Sequence, residues 1–283
     1  MNTSKTIALA GCSGYIGTHM TRAALDLGVH VYGIDPQMQD AFLDHPNFTA
    51  IDTPNAFCDL NTDENYLALQ PNHRTPYLDR LISDGRFIFS EKPMARARDP
   101  HICDQIVAKL ADSSAVMRYN FLLIYNPITE RIIQYLRSHK NVTISYMKSV
   151  FEKNRESRRN DRNKKFMEPI QYQESIHSLA LMLVLRGEVL SYDLTHFDSV
   201  FPKGLIAVGT SSPYDAPSAD YDTIPDGRFY GTLTTSGFRM DVITNFKRLD
   251  QQHFPTRQQK KVIISGVADG NPFTIEADYQ RDQ

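Results

Sequence analysis

Residues 7–17, IALAGCSGYIG, constrain this chain more than any other stretch. Four apolar residues, Ile7 to Ala10, run into Gly11, Gly14 and Gly17, and a helical pattern follows at once. Ile16, Met20, Ala23, Ala24 and Leu27 are spaced for one buried face, with Gly28 placed to end the helix. A strand that turns on glycines and restarts as a helix carries the helix's first amides to the strand's end. Those N–H groups and the helix dipole attract a phosphate, and residues without a Cβ let it come close. The spacing is GxxGxxG, with Ser13 where the commoner GxGxxG pattern has its second glycine. Glycines alone also suit a plain tight turn, so the context decides.

That context continues in HVYGID, residues 30–35, a short apolar strand ending on Asp35, 18 positions after Gly17. In a dinucleotide fold an acidic residue at this place accepts hydrogen bonds from the ribose hydroxyls and repels a 2′-phosphate. Pro36 and Gln37 follow, and neither offers an arginine to bind such a phosphate. The stretch predicts a dinucleotide site. Gly11, Ser13, Gly14, Tyr15, Ile16 and Gly17 would form the phosphate loop and Asp35 the ribose contact, with NAD favoured over NADP.

The rest of the first 119 residues alternates strand and helix. A short helix near 38–43 and strands at 48–51 and 66–69 lead to PNH at 71–73. An amphipathic helix over 74–84 closes at Gly85, and strand RFIFS (86–90) runs into Glu91-Lys92-Pro93. A helix over 99–111 follows, with Asp99 as cap and Pro100 in its first position, burying Ile102, Ile106, Val107 and Leu110. Strand 115–119 completes the pattern. Such alternation implies a parallel sheet covered on both faces.

Beyond residue 119 the pattern changes. A helix over 127–137 buries Ile128, Ile132, Ile133 and Leu136, and strand 142–151 follows. A second helix, 173–185, carries His177. From Leu190 onward, alternating strands dominate, as in 229–246 and 260–279, the latter with a turn signal at Asp269-Gly270-Asn271-Pro272. The expected fold is α/β. It comprises a Rossmann dinucleotide-binding domain (1–119) and a C-terminal α+β domain (120–283) with a mostly antiparallel open sheet, serving substrate binding and oligomerisation.

A formal net charge of −2 gives no reason to expect nucleic acid or membrane surfaces as partners. No apolar run approaches the ~20 residues of a membrane span. The N-terminus enters the first strand directly, leaving no room for a signal peptide. Three scattered cysteines (Cys12, Cys58, Cys103) suit neither a disulfide framework nor a zinc site, so no metal is expected. Together these features predict a cytoplasmic protein. Cys12, inside the glycine loop, reads either as a small residue filling a turn or as an oxidation-sensitive thiol.

GCSGYIG locally resembles extended short-chain dehydrogenases, which need a Tyr-x-x-x-Lys pair; none of the fourteen tyrosines has lysine four positions later. A better match is PNHRTPYLDRLISDGRFIFSEKPMA, residues 71–95. It resembles the Gfo/Idh/MocA oxidoreductases, the family of glucose–fructose oxidoreductase and inositol dehydrogenase. There, a Pro-x-x-His or Pro-Asn-x-x-His element is followed by a helix, a glycine turn and Glu-Lys-Pro. The resemblance covers the N-terminal domain and continues more loosely to about residue 185.

The resemblance implies that Lys92 lies between nicotinamide and substrate and hydrogen-bonds the oxygen that is oxidised. It places Pro71, Asn72, His73 and Glu91 beside the cofactor and Asn120 near the nicotinamide ring. The family's Asp-x-Gly-x-His segment corresponds to Gln173-Glu174-Ser175-Ile176-His177, so His177 is the implied general acid/base. Gln173 stands at the aspartate position and can orient a hydroxyl without carrying charge; Glu174 sits about 100° further round the helix.

Residues 152–168 hold seven basic side chains, including Arg158 and Arg159, against four acidic ones. This is either a solvated loop or a cover over an anionic substrate such as a uronic acid, sugar phosphate or nucleotide-linked sugar. The implied activity is hydride transfer between NAD and a small sugar, cyclitol or related polyol, in a homo-oligomer (dimer or tetramer). Two alternatives stay open. One is C=C or C=N reduction, as in biliverdin-reductase-like relatives; the other is a dinucleotide-binding regulator without turnover.

Overall fold

The computed structural model describes residues 5–96, 99–153, 174–190, 206–213, 226–245 and 258–280. The chain separates into two compact units, Met1–Asn120 and Phe121–Gln283, one residue beyond the expected boundary.

In the first unit, β1 (Thr6–Ala10), α1 (Tyr15–Asp26), β2 (His30–Ile34), α2 (Asp40–Leu43), β3 (Phe48–Ala50), α3 (Pro54–Asp59), β4 (Glu64–Leu67), α4 (Pro71–Ser83), β5 (Phe87–Ser90), α5 (His101–Ala111) and β6 (Val116–Tyr119) follow in order. The six strands form one parallel sheet, ordered β3-β2-β1-β4-β5-β6. Alternation along β1 divides the core: Leu9 packs with Leu25, Val31, Phe42 and Phe48 toward α1 and α2. Ala8 and Ala10 pack with Phe57, Leu78, Leu81, Ile82, Ile88 and Ile106 toward α3, α4 and α5. Each of the larger aliphatic residues withdrawn from water here contributes roughly 1.5–3 kcal/mol.

Four expectations are corrected. Helix α1 buries Gly17, Thr21 and Leu25, while Ala23 is exposed and Leu27 is 81% exposed. The reason is Gly17, where a Cβ would stand 1.8 Å from the Gly11 carbonyl oxygen. The glycine must face the loop, and the helix turns accordingly. Gly28 (φ 73°) ends the helix as expected, its N–H and that of Val29 donating to the carbonyls of Leu25 and Ala24. Helix α3 was not anticipated, although Thr53 caps it by accepting from Ala56 N–H and Pro54 takes its first turn. Helix α4 starts at Pro71, three residues early, so Pro-Asn-His is its first turn rather than a loop. In α5, Pro100 rather than Asp99 occupies the N-cap, and Val107 is 55% exposed.

In the second unit, α6 (Pro127–Arg137), β7 (Val142–Lys153), α7 (Ile176–Leu190), β8 (Ile206–Pro213), β9 (Asp226–Thr235), β10 (Phe238–Asn245), β11 (Gln258–Ala268) and β12 (Asn271–Asp278) are described. The sheet order is β12-β11-β7-β10-β9-β8, antiparallel except where β7 meets β10. Helix α6 matches its expected bounds and buried face, capped by the Asn126 side chain. Both helices pack on one side: Ile132, Ile133, Leu181 and Leu185 cluster with Met147, Phe151, Met240, Val242, Val262 and Ile264. The β11–β12 hairpin turns on Asp269 (φ 48°) and Gly270 (φ 84°), a two-residue turn with both central residues left-handed. Tyr279, 1% exposed, places its hydroxyl 2.7 Å from Thr129 Oγ1 and so ties the chain's last described turn to α6.

Candidate functional site

All six parallel strands of the first unit end on one edge, and most of the expected site residues gather there. The strand order reverses between β1 and β4, the position at which open α/β sheets bind ligands.

At the end of β1, Gly11 (φ 80°) is buried, and a Cβ on it would meet the Ala68 carbonyl oxygen at 2.7 Å. Gly11 and Gly17 are therefore required by the loop's own packing. Gly14 is different: it is exposed, and a Cβ there would meet only the Gly11 oxygen, at 3.3 Å. Gly14 is also the N-cap of α1, where no side chain caps the helix. The open N-terminus and the bare glycine before it are the features a phosphate needs. Tyr15 is exposed and Ile16 half-buried beside it.

Asp35, half-buried, accepts from the Ser13 amide (3.1 Å) and the Gln37 amide (2.9 Å). A second bridge joins the same segments, because Ser13 Oγ accepts from the Gln39 amide (3.0 Å). Gln39 Nε2 donates to Ser13 O (3.2 Å) and Thr18 Oγ1 (2.7 Å). Ser13, at the place of the missing glycine, thus latches the glycine loop to the segment after Asp35. Cys12 is fully buried, and burial pushes its thiol up to about 11 against the opposing Ser13 hydrogen bond. It stays a thiol near neutral pH and serves packing, since the thiolate is the reactive form.

At the ends of β5 and β6 lies a second cluster. Glu91 Oε1 accepts from the Tyr66 hydroxyl (2.8 Å) and Asn120 Nδ2 (2.6 Å), and Asn120 Nδ2 also reaches the Tyr66 oxygen (3.1 Å). Burial, then the adjacent Glu91 carboxylate, push the Tyr66 phenol well above its usual range. The Glu91 amide donates to Leu67 O, and the Lys92–Pro93 peptide is cis. Lys92 itself is half-buried.

Beneath this turn is Arg74, which is fully buried. Its Nη1 donates to Ser90 Oγ (2.8 Å) and to the Glu91 carbonyl, and its Nη2 donates to the Pro93 carbonyl (2.8 Å). Burial pulls the guanidinium down to about 10. Asn72 and His73 are exposed on the first turn of α4, and Pro71 is half-buried. Counting four from Pro71, the histidine of Pro-x-x-His falls on Arg74; it is Arg74 that reaches the Glu91 turn, while His73 is exposed. Sequence reasoning missed Arg74, Tyr66 and Gln39. For Arg74 a signal existed: the charge lies on the apolar stripe of α4 with Tyr77, Leu78, Leu81 and Ile82.

In the second unit, His177 is 5% and Glu174 2% exposed. The His177 ring lies edge-on to Phe121, with centroids 6.0 Å apart. The start of α7 is pinned to the sheet by hydroxyl pairs: Ser178 with Ser149 (2.6 Å) and Ser175 with Thr244 (2.8 Å). A wide, π-type turn at Glu174–Ser175 precedes the helix, a form frequent at functional sites. Gln173, Arg158 and Arg159 lie outside the described residues. Among the described residues no three His, Cys, Asp or Glu side chains gather as a metal site, and no helix is long and apolar enough to cross a membrane.

No family model matches the sequence, and no curated protein matches it. Solved structures do share its fold. The myo-inositol dehydrogenase from Corynebacterium glutamicum superposes with a TM-score of 0.69 at 14% identity, over 97% of this chain and 75% of that one. The WlbA (WbpB) dehydrogenase from Thermus thermophilus, solved with NAD and alpha-ketoglutarate, gives 0.61 at 15% identity over 96% and 82%. GenD2 from gentamicin A biosynthesis, solved with NAD, gives 0.66 at 13% over 97% and 72%. The chain has the fold of Gfo/Idh/MocA-type dehydrogenases. At such identity the likeness speaks for the fold alone.

Proposed function

We propose that this protein is an NAD-dependent oxidoreductase acting on a CH–OH group of a sugar, cyclitol or related polyol. The observation that carries the reading is the common edge of the parallel sheet, where the bare Gly14 turn, Asp35 and the half-buried Lys92 all stand at strand ends. The first unit is the cofactor domain and the second the substrate and assembly domain.

The amides that open α1 hold the pyrophosphate, and Asp35 accepts from the ribose hydroxyls; its carboxylate disfavours NADP. When bound, NAD supplies the acceptor for the hydride at its nicotinamide ring. Lys92 donates a hydrogen bond to the substrate oxygen as negative charge develops there. An aimed donor of this kind is worth about 10²–10³ in turnover. His177 takes the proton leaving the hydroxyl, a role that typically contributes about 10²–10⁴. The 152–168 segment supports an anionic sugar as substrate, and a neighbour solved with NAD and UDP-GlcNAcA supports the same class. The protein acts in the cytoplasm as a homo-oligomer.

The test is native mass spectrometry of the purified protein, then NADH and NADPH titration by fluorescence, then turnover on polyols, uronic acids and nucleotide sugars. Micromolar NADH binding with NADPH at least about tenfold weaker is expected. Lys92→Met should abolish most turnover while NADH binding persists. Absence of binding by either cofactor defeats the reading; binding without turnover on any substrate favours the regulator.

A further inference from the structure

Helix α4 buries a cation where its neighbours bury aliphatic and aromatic side chains. Arg74 shares its stripe with Tyr77, Leu78, Leu81 and Ile82, and is as fully enclosed as Leu81. Packing alone is served better by a leucine or methionine, because a buried charge is costly unless its hydrogen bonds compensate. Among the described residues the Arg74 Nε has no partner, so the site does not satisfy the whole guanidinium. What the side chain does hold is specific. Its two terminal nitrogens grip the carbonyl oxygens of Glu91 and Pro93, the residues on either side of Lys92, and Nη1 also reaches Ser90 Oγ.

We infer that Arg74 is a positioning residue for Lys92, holding the Glu91–Lys92 peptide before it and the Pro93–Met94 peptide just beyond it, and so the direction in which its side chain leaves the chain. A rigid planar fork suits this task, since it addresses two acceptors in one geometry, which an ammonium does not. Glu91 is held independently at its amide by Leu67 O and at its carboxylate by Tyr66 and Asn120. Arg74 adds its own holds, on the Glu91 and Pro93 carbonyls. Burial brings the guanidinium down only to about 10, so it remains cationic and donating at neutral pH. The functional value of this device rests on the role proposed for Lys92, but its physical content does not.

The experiment therefore reads Lys92 directly. Lysines of the full-length protein are reductively methylated with ¹³C-formaldehyde, and the Lys92 signal is assigned by its loss in Lys92→Arg. In the wild type we expect one sharp Lys92 resonance displaced from the exposed lysines. Arg74→Met should shift it into their envelope, and Arg74→Lys should move it part of the way. Leu81→Ala serves as control: it lowers the melting temperature at least as much without moving the signal. Should Arg74→Met fail to fold, Arg74→Lys carries the test alone. An unmoved Lys92 resonance in the folded Arg74 variants, or an equal movement in Leu81→Ala, overturns the inference. NADH titration of the same samples reports on the cofactor reading separately: a wild type that binds no NADH defeats that reading and leaves the Lys92 result standing.

Discussion

The glycine loop and the Glu91–Pro93 turn lie on the same edge of one sheet, and opposite means build them. The loop is shaped by the absence of side chains: Gly11 and Gly17 approach backbone oxygens closer than any Cβ allows. The turn is shaped by side chains arriving from elsewhere, Arg74 from α4, Tyr66 from β4 and Asn120 from the end of β6. A local motif can write the contact of Gly17 with Gly11, though Gly11 itself is pressed by Ala68 from β4's end. The turn exists only when four segments have assembled.

The comparison breaks most sharply at Gly17. Gly17→Ala puts a methyl 1.8 Å from a backbone oxygen that has no rotamer to adopt. We expect a loss of at least about 3 kcal/mol in urea unfolding; a loss below about 1 kcal/mol would show that the loop yields and that its packing argument is wrong. Next is the pH dependence of the loop. The Cys12 thiol is raised from 9.0 to about 11 on folding, so its stabilising contribution is complete below pH 9 and is lost as pH rises toward 11. The full window corresponds to about 2 kcal/mol. Cys12→Ala should lose correspondingly less stability than the wild type between pH 8 and pH 11; parallel losses would mean that the thiol is not the titrating group. The smallest structural effect belongs to Gly14→Ala, which meets one oxygen at 3.3 Å. Unfolding should change by less than about 0.5 kcal/mol, within the range of ordinary surface changes. NADH affinity should fall about tenfold, for the loss of about 1.4 kcal/mol of binding. Unchanged affinity would separate Gly14 from the phosphate site and leave the glycine loop as a turn.

Much of the fold was legible because its signals are local. Strand β1, the turn and the end of α1 follow from glycine placement; α6 follows from its periodicity; the last hairpin follows from Asp269-Gly270. The buried face of α1 was misread because hydropathy ranks Ala23 and Leu27 above Gly17, while contact geometry ranks Gly17 first. Helix α3 was missed because six residues with one cap carry almost no periodicity. In the candidate site, spacing singled out the glycine loop and Asp35, and the family resemblance singled out Lys92; the structure puts all three at strand ends of one sheet edge. His73 was chosen from its place after the strand's C-terminal end; it lies exposed on the first turn of α4, while Arg74, which the sequence did not single out, is buried.

By itself, the sequence determined the longer strands and helices, that the first unit alternates them, and that a carboxylate follows β2 after a bare glycine turn. These properties depend on neighbours within a few residues, through propensity, period and steric freedom. Tertiary structure alone decided the place of β7 between β11 and β10, the latch from Ser13 to Gln39, and the seating of Arg74 beneath Lys92. Those depend on hydrogen-bond partners many residues away, and a buried donor selects its acceptor only after the core has closed around both.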